Sequence, residues 1–353
     1  MKKVDYLIVG LGLSGSILAK ILSERGKKLA IIDKFKSNSS SQVAAGIVNP
    51  VSGRRVVKSW MADTLIPYAQ TFYKKLESET ASKFYHEIDV LEIVHSVKEV
   101  NDWSSRMSES GMSKYLSPEA PEQNYREKIS PFQKMFRITS SGWMNIPLMI
   151  DRCRKILSDQ LYLNEYLDQS LLQISETQIS YRDIVADNII FCEGIGSMNN
   201  SLWNWLPFLP AKGEIITIEC DDLPEDFILM SGIFIVPLGD KKFRVGATYE
   251  WNYPHEEPTE SGRQKLVRLL DNFLKVSYEV IEHRAGIRPT VKDRRPIIGR
   301  HPAYSNVYVF NGMGTKGVQL APFFGEQFCE YLLNDGMLAE EVDVKRFGDF
   351  LHL

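Results

Sequence analysis

Residues 4–33 read VDYLIVGLGLSGSILAKILSERGKKLAIID, and this stretch decides the fold. Residues 6–9 are apolar at every position, which predicts a central parallel strand covered on both faces. Apolar side chains at helical spacing in residues 17–22 predict a helix, and residues 29–32 predict a second strand. A strand, a glycine turn, a helix and a second strand in this order are typical of a nucleotide-binding unit.

Three glycines between the first strand and the helix have different physical roles. Gly10 allows the sharp turn, Gly12 lets bare backbone approach a pyrophosphate, and Gly15 lets the helix pack close to the sheet. The helix N-terminus directs free N–H groups and the positive end of its dipole toward the phosphates. We therefore expect Leu13 and Ser14, at the start of this helix, to contact the ligand as well.

Asp33 ends the second strand, 23 residues after Gly10, where a carboxylate accepts hydrogen bonds from a ribose 2′-OH. An acid at this position repels a 2′-phosphate, which argues against an NADP-type ligand. A lone GxGxxG is a weak signal, but here the strand, turn, helix and acid are all in register. The unit predicts dinucleotide binding.

The composition excludes several other classes of protein. A chain of 353 residues is long enough for two domains with their own cores. Its net charge of -3 gives no bulk attraction for nucleic acid, and no run approaches the ~18 uncharged apolar residues of a membrane-spanning helix. The four cysteines form no CxxC pair and the six histidines show no metal-ligand spacing. We therefore expect buried free thiols, a reducing cytoplasmic location and no metal.

Later segments predict a second layer and further ligand contacts. Residues 188–196 predict another buried strand that ends in glycines, Gly194 and Gly196, a second place where a sheet edge meets a ligand. The alternating runs that predict an antiparallel sheet are 213–219, 228–237 and 243–251. The row of small residues in 41–50 lets backbone approach a large flat group, and the glycine turn 311–317 opens a C-terminal helix.

With these segments in place, the chain resembles the FAD-dependent D-amino-acid oxidase family, in its glycine oxidase and sarcosine oxidase branch. The resemblance covers essentially the whole chain. The segments that carry it are the fingerprint 10–15, Ala44-Ala45-Gly46, Lys212-Gly213-Glu214, Gly246-Ala247-Thr248-Tyr249, GIRPTVKDRRPIIG at 286–299 and GMGTKGV at 312–318.

The resemblance implies an α/β architecture with two interleaved domains. A Rossmann-like FAD-binding domain with a parallel sheet would comprise residues 1–80, 140–208 and 286–353. An inserted α+β substrate domain with a mostly antiparallel sheet would comprise residues 81–139 and 209–285. The flavin ring would lie between the two domains.

The implied cofactor is FAD, bound non-covalently because no His or Cys matches the family's covalent attachment. The implied chemistry is oxidation of the C–N bond of an amino acid or secondary amine to an imine by hydride transfer to flavin N5, with O2 or another electron acceptor. The residues expected to contact FAD are Gly10, Gly12, Leu13, Ser14, Gly15, Asp33, Lys34, Gln42, Ala45, Gly46, Ile47, Gly194, Gly286, Arg288, Gly312, Gly314, Thr315, Lys316, Gly317 and Val318.

Three residues are candidates for the reaction itself. The planar guanidinium of Arg288 matches a substrate carboxylate through two parallel hydrogen bonds, and in the resembled family the arginine of this Arg-Pro pair binds the substrate acid. The alternative is that Arg288 forms a structural ion pair. Tyr249 could end a strand and line the same cavity, or simply cap the sheet core. Lys316 could place positive charge near the flavin N1 and O2, or be a solvated loop lysine.

The chain departs from the family pattern at two positions, of which the first bears on the contacts after the third sheet strand and the second on the substrate. Glu193 stands where relatives tend to have a threonine, and Thr315 stands where a glycine oxidase-like chain has a second arginine. Glycine is therefore doubtful as substrate, and a larger secondary amine is as good a candidate. The competing functions are a flavoenzyme that modifies an aminomethyl group of tRNA wobble uridine, a non-catalytic flavin-binding protein and an NAD-dependent dehydrogenase. The mild acidity argues against the tRNA enzyme.

Overall fold

The computed structural model describes residues 1–52 and 56–352. Two eight-stranded sheets and a layer of helices form the framework. The helices are α1 Leu13–Glu24, α2 Ser40–Val43, α3 Ala62–Thr80, α4 Val97–Met107, α5 Ile146–Ile156, α6 Glu260–Phe273 and α7 Gly317–Leu333, with 3-10 helices at Glu122–Asn124, Gln169–Leu171, Gly194–Asn199 and Val344–His352.

The first sheet carries the nucleotide-binding unit. Its strands are β1 Lys2–Val9, β2 Leu29–Ile32, β11 Leu161–Leu163, β12 Leu172–Ile174, β13 Ile179–Tyr181, β14 Ile184–Phe191, β20 Ile297–Arg300 and β21 Val307–Asn311. Five strands of this sheet lie side by side in parallel, in the order β11, β2, β1, β14 and β21. The other three pair antiparallel: β13 with β14, β12 with β13, and β20 with β21. The carboxyl ends of β1, β2 and β14 therefore meet at one edge, beside the start of α1.

The second sheet is antiparallel except where β16 pairs with β7. Its strands are β7 Val90–Val94, β8 Leu116–Ser117, β9 Lys134–Ile138, β15 Ala211–Glu219, β16 Ile228–Met230, β17 Phe234–Gly239, β18 Lys242–Gly246 and β19 Glu279–Arg288. Smaller pairings join β3 Ile47–Val48, β10 Gly142–Met144 and β6 Tyr85–Glu87, and separately β4 Val51–Ser52 and β5 Val57–Lys58. The expected α/β fold, with one mainly parallel and one mostly antiparallel sheet, is confirmed.

Two strand predictions were wrong in detail. The run 228–237 is two strands, because the backbone turns through a left-handed Gly232 between β16 and β17. The run 243–251 ends as a strand at Gly246, and residues 247–249 form a loop. Alternating apolar residues indicate strand but do not locate the turn inside it.

The cysteine prediction is confirmed, because all four cysteines are buried free thiols. Within the described ranges 1–52 and 56–352, no helix combines the length and apolar character needed to cross a membrane.

Candidate functional site

A cavity of about 610 Å³ begins at the carboxyl edge of the first sheet and continues between the two sheets. Most of the predicted ligand contacts line it. They are Gly10, Gly12, Leu13, Ser14, Asp33, Lys34, Gln42, Ala45, Gly46, Ile47, Gly194, Gly286, Arg288, Gly314, Thr315, Gly317 and Val318. The lining does not include Gly15, Gly312, Lys316 or Tyr249. Segments far apart in the chain thus meet around one elongated space.

The glycine turn at one end requires glycine for steric reasons. Gly10 has φ +92°, and a Cβ there would lie 2.7 Å from the carbonyl oxygen of Cys192. A Cβ on Gly15 would lie 2.0 Å from the carbonyl oxygen of Gly10, so Gly15 lets α1 pack onto the turn, and its contact with the ligand stays a prediction. Gly12 is the N-cap residue of α1, which leaves first-turn N–H groups for phosphate oxygens.

Asp33 holds this turn in place as well as lining the cavity. Its Oδ1 accepts the N–H of Leu11 at 2.8 Å, and its Oδ2 accepts Nη2 of Arg154 at 2.5 Å. Arg154 comes from α5 and also lines the cavity. The sequence analysis missed Arg154, because nothing local to residue 154 indicates a partner that lies 121 residues away.

Apolar side chains and loop backbone line the other end of the cavity. Gly46 packs against β10 so closely that a Cβ would lie 2.1 Å from the carbonyl oxygen of Met144. Ile215 of β15 and Phe234 of β17 form the opposite wall, from the second sheet. The sequence predicted both strands but not which of their faces turns toward the cavity.

Arg288 reaches the cavity from the end of β19. Its Nη1 and Nη2 each donate to the carbonyl oxygen of Thr248 at 3.3 Å, and its Cζ lies 5.1 Å from the ring centre of Tyr249. Among the described residues, no carboxylate lies within ion-pair distance of it, so the structural ion-pair alternative finds no support. Burial lowers the pKa of Arg288, as expected for a cation that has no carboxylate partner among the described residues.

Tyr249 lies outside the cavity lining. It belongs to the loop after β18, its side chain is 41% exposed, and its ring meets that of Trp251 edge-on at 4.9 Å. The expectation that Tyr249 ends a strand was therefore wrong. Its role toward substrate stays a prediction that depends on its contact with Arg288.

Lys316 is the N-cap residue of α7 and is partly buried. Its Nζ donates to Oγ of Ser59, and burial lowers the pKa of Lys316 to about 8. The alternative of a solvated loop lysine does not fit these contacts. A charge contact between Lys316 and the flavin stays a prediction.

The cavity fits FAD in shape and chemistry. One end offers N–H groups, glycine backbone and the Asp33 carboxylate, which suit a diphosphate and a ribose. The other end offers close-packed loop backbone and apolar walls from both sheets, which suit a planar ring. The fold and the site thus define a dinucleotide-binding protein whose cavity lies between two sheets.

A model of the DAO family, described as "FAD dependent oxidoreductase", matches residues 5–331, and the chain belongs to this family. FAD is accordingly its cofactor, and the predicted family and enzyme class are confirmed.

Three relatives of known function are similar to this chain in sequence, two over most of its length and one over less than half. Glycine oxidase of Pseudomonas aeruginosa is 24% identical over 90% of this chain and 91% of its own length. Glycine oxidase of Bacillus subtilis is 29% identical over 43% of this chain and 42% of its length. The tRNA 5-methylaminomethyl-2-thiouridine biosynthesis bifunctional protein MnmC of Marinobacter nauticus is 24% identical over 92% of this chain, which spans about half (54%) of that protein.

A solved structure is similar in fold. Iminodiacetate oxidase from Chelativorans sp. BNC1 superposes with a TM-score of 0.79 and 20% identity, over 97% of this chain and 98% of that one.

Proposed function

We propose that the chain oxidises the C–N bond of an amino acid or secondary amine that carries a carboxylate, giving an imine that water hydrolyses. The observation that carries this proposal is the Arg288 guanidinium, which lines the FAD cavity without an acidic partner among the described residues. A partly buried cation of this kind is stabilised by an anionic ligand, and a carboxylate matches its fork bidentately.

Bound FAD supplies an acceptor for the hydride that leaves the substrate carbon. The chain's own residues then have two tasks. Arg288 binds the carboxylate and thereby fixes the position of the neighbouring C–H bond, while Ile215 and Phe234 close the apolar wall and exclude water. Among the residues that the structure describes, no histidine lines the cavity, and a substrate amine that reacts in its neutral form needs no side-chain base.

The relatives support this substrate class. Glycine and iminodiacetate, after which two similar oxidases are named, each combine an amine with a carboxylate. Thr315 lines the cavity and occupies the position at which a glycine oxidase-like chain has a second arginine, so we propose a substrate larger than glycine.

A second candidate substrate is an amine attached to a nucleoside. The match to MnmC extends over 92% of this chain, and Tyr249 and Trp251 expose two aromatic faces beside Arg288, a surface on which a base could stack.

Anaerobic mixing of the holoprotein with a panel of amines tests the proposal. We expect carboxylated amino acids or N-alkyl amino acids to bleach the flavin absorbance, and matched amines without the carboxylate to do so far more slowly. Bleaching by tRNA bearing 5-methylaminomethyl-2-thiouridine, but not by small amines, would support the second candidate instead. No bleaching by any amine would contradict the proposal.

Gly213→Ala is expected to impair substrate binding with little effect on folding. A Cβ on Gly213 would lie 2.1 Å from Nη2 of Arg288, so the guanidinium must move out of place. Because the displaced atoms end a flexible side chain, the melting temperature should change little. We expect KM for a carboxylated amine to rise on the order of 10- to 100-fold. Gly348→Ala is the matched control, because a Cβ on Gly348 would meet nothing within 4 Å. An unchanged KM in Gly213→Ala would show that Arg288 does not bind the substrate carboxylate.

A further inference from the structure

Four carboxyl groups line the FAD cavity, and three of them are paired with a cation. Asp33 lies 2.5 Å from Arg154, Glu165 lies 3.0 Å from Arg182, and Glu256 pairs with Lys36. The fourth is Glu193. Its Oε2 accepts a hydrogen bond from the side-chain amide of Asn200 at 2.8 Å, and no described cation pairs with it.

Glu193 lies at the phosphate end of the cavity. It follows Cys192 directly after β14, and its Cα is 3.3 Å from the point where a Cβ of Gly10 would lie. Gly10 begins the turn on which a diphosphate rests. An ionised carboxylate here would face a doubly charged diphosphate in a partly buried space, where repulsion is poorly screened. A protonated carboxyl would instead offer a hydrogen-bond donor.

We propose that Glu193 binds FAD as a neutral carboxylic acid and donates a hydrogen bond to the cofactor, so that binding of FAD takes up one proton. Neutral carboxyl groups serve as donors to anionic ligands wherever their surroundings disfavour ionisation. Burial raises the pKa of Glu193 to about 7, only partly offset by the Asn200 amide, so the proton is available near neutral pH.

The groups packed around Glu193 add little charge of their own. The turn after β1 contributes the backbone of Gly10, and the segment after β14 contributes Gly196 and the Asn200 amide. The Cys192 thiol is the nearest titratable group, and burial and the Glu193 carboxyl raise its pKa well above neutrality. Across the cavity, the other acids are held in the ion pairs described above, and the lining contains no histidine.

The test is release of FAD from diluted holoprotein, followed by flavin fluorescence at equilibrium between pH 6 and pH 9. A ligand that binds only the protonated form loses affinity by about tenfold per pH unit above the pKa of the free site. We therefore expect the Kd for FAD to be flat below pH 6.5 and to rise with this slope above pH 7.5. Because burial lowers the pKa of Lys316 to about 8, Lys316 titrates in the same range, and the proton taken up at Glu193 is read from the difference between wild type and a Glu193 variant.

Glu193→Gln keeps a hydrogen-bond donor that cannot ionise, so its Kd should lose the tenfold rise per pH unit that begins near pH 7. Glu165→Gln is the matched control, because it removes a cavity carboxylate that is ion-paired, and it should retain the wild-type slope. A wild-type Kd that is constant from pH 6 to pH 9, or an unchanged slope in Glu193→Gln, would overturn the proposal.

Discussion

Replacement of Arg288 by leucine is expected to weaken binding of a carboxylated amine by roughly 2–5 kcal/mol, which corresponds to a rise in KM of about 30-fold to several thousand-fold. The guanidinium has no acidic partner among the described residues, so its removal leaves no buried charge of the protein uncompensated. The loss should therefore fall on the substrate carboxylate, which remains in the cavity without a cation. Steady-state kinetics with one carboxylated amine measure it.

Two controls separate anchoring from a general defect. Arg300→Leu removes an exposed arginine at the end of β20 and should leave KM within twofold of wild type. The Arg288→Leu protein should still bind FAD, because Gly10, Gly12 and Asp33 at the phosphate end are untouched. An Arg288→Leu enzyme with full flavin content and wild-type KM would show that another residue holds the substrate.

The second large effect is expected at a buried ion pair next to the cavity. Lys212 and Glu214 flank Gly213 on β15 with fully buried side chains, and Lys212 Nζ lies 3.1 Å from Glu214 Oε1. The other oxygen of Glu214 accepts the N–H of Thr259 at 3.0 Å and contacts Nε2 of His283 at 2.8 Å. The pair ties β15 to β19 and to the start of α6.

Glu214→Ala should lower the free energy of unfolding by about 3–5 kcal/mol, because it leaves the Lys212 ammonium buried and unpaired. Urea unfolding followed by far-UV circular dichroism measures it. Glu219→Ala is the matched control on the same strand, because Glu219 is exposed and its carboxylate lies 3.6 Å from the Lys242 ammonium. We expect this substitution to change the free energy of unfolding by less than about 1 kcal/mol. Equal effects of the two substitutions would contradict the importance of the buried pair.

The pH dependence of this stabilisation follows from Glu214. Burial alone would raise its pKa, but hydrogen bonds from Thr259 and the neighbouring Lys212 ammonium lower the pKa of Glu214 below its ordinary value. A carboxyl group with a lowered pKa in the folded state stabilises the fold above its unfolded pKa, and this contribution is lost as pH falls through the folded value. The difference in stability between wild type and Glu214→Ala should therefore shrink in acid, below about pH 4; a difference that grows there would contradict this assignment.

The sequence predicted those parts of the fold that are determined by interactions between residues close together in the chain. Residues 29–32 form the predicted strand, and Gly10 and Gly12 line the predicted cavity, because turn geometry and apolar periodicity act over a few residues. Arg288 was found through the Arg-Pro motif, and its place in the lining agrees with that expectation.

Other parts of the site depend on contacts between distant segments. The pairing of Asp33 with Arg154 and the wall formed by Ile215 and Phe234 follow from strand register and helix docking, which no local pattern specifies. Tyr249 was misplaced because an alternating run continues past the true strand end at Gly246. The domain boundaries, such as the division at residues 208–209, stay predictions.

The central claim is that one cavity brings the flavin ring and Arg288 together. Titration of the holoprotein with methoxyacetate, a carboxylate without an amine to oxidise, tests this claim most directly through the visible spectrum of the flavin. The claim predicts a saturable spectral change in the wild-type protein that is lost in Arg288→Leu. A flavin spectrum that does not respond to the carboxylate, or that responds equally in both proteins, would contradict it.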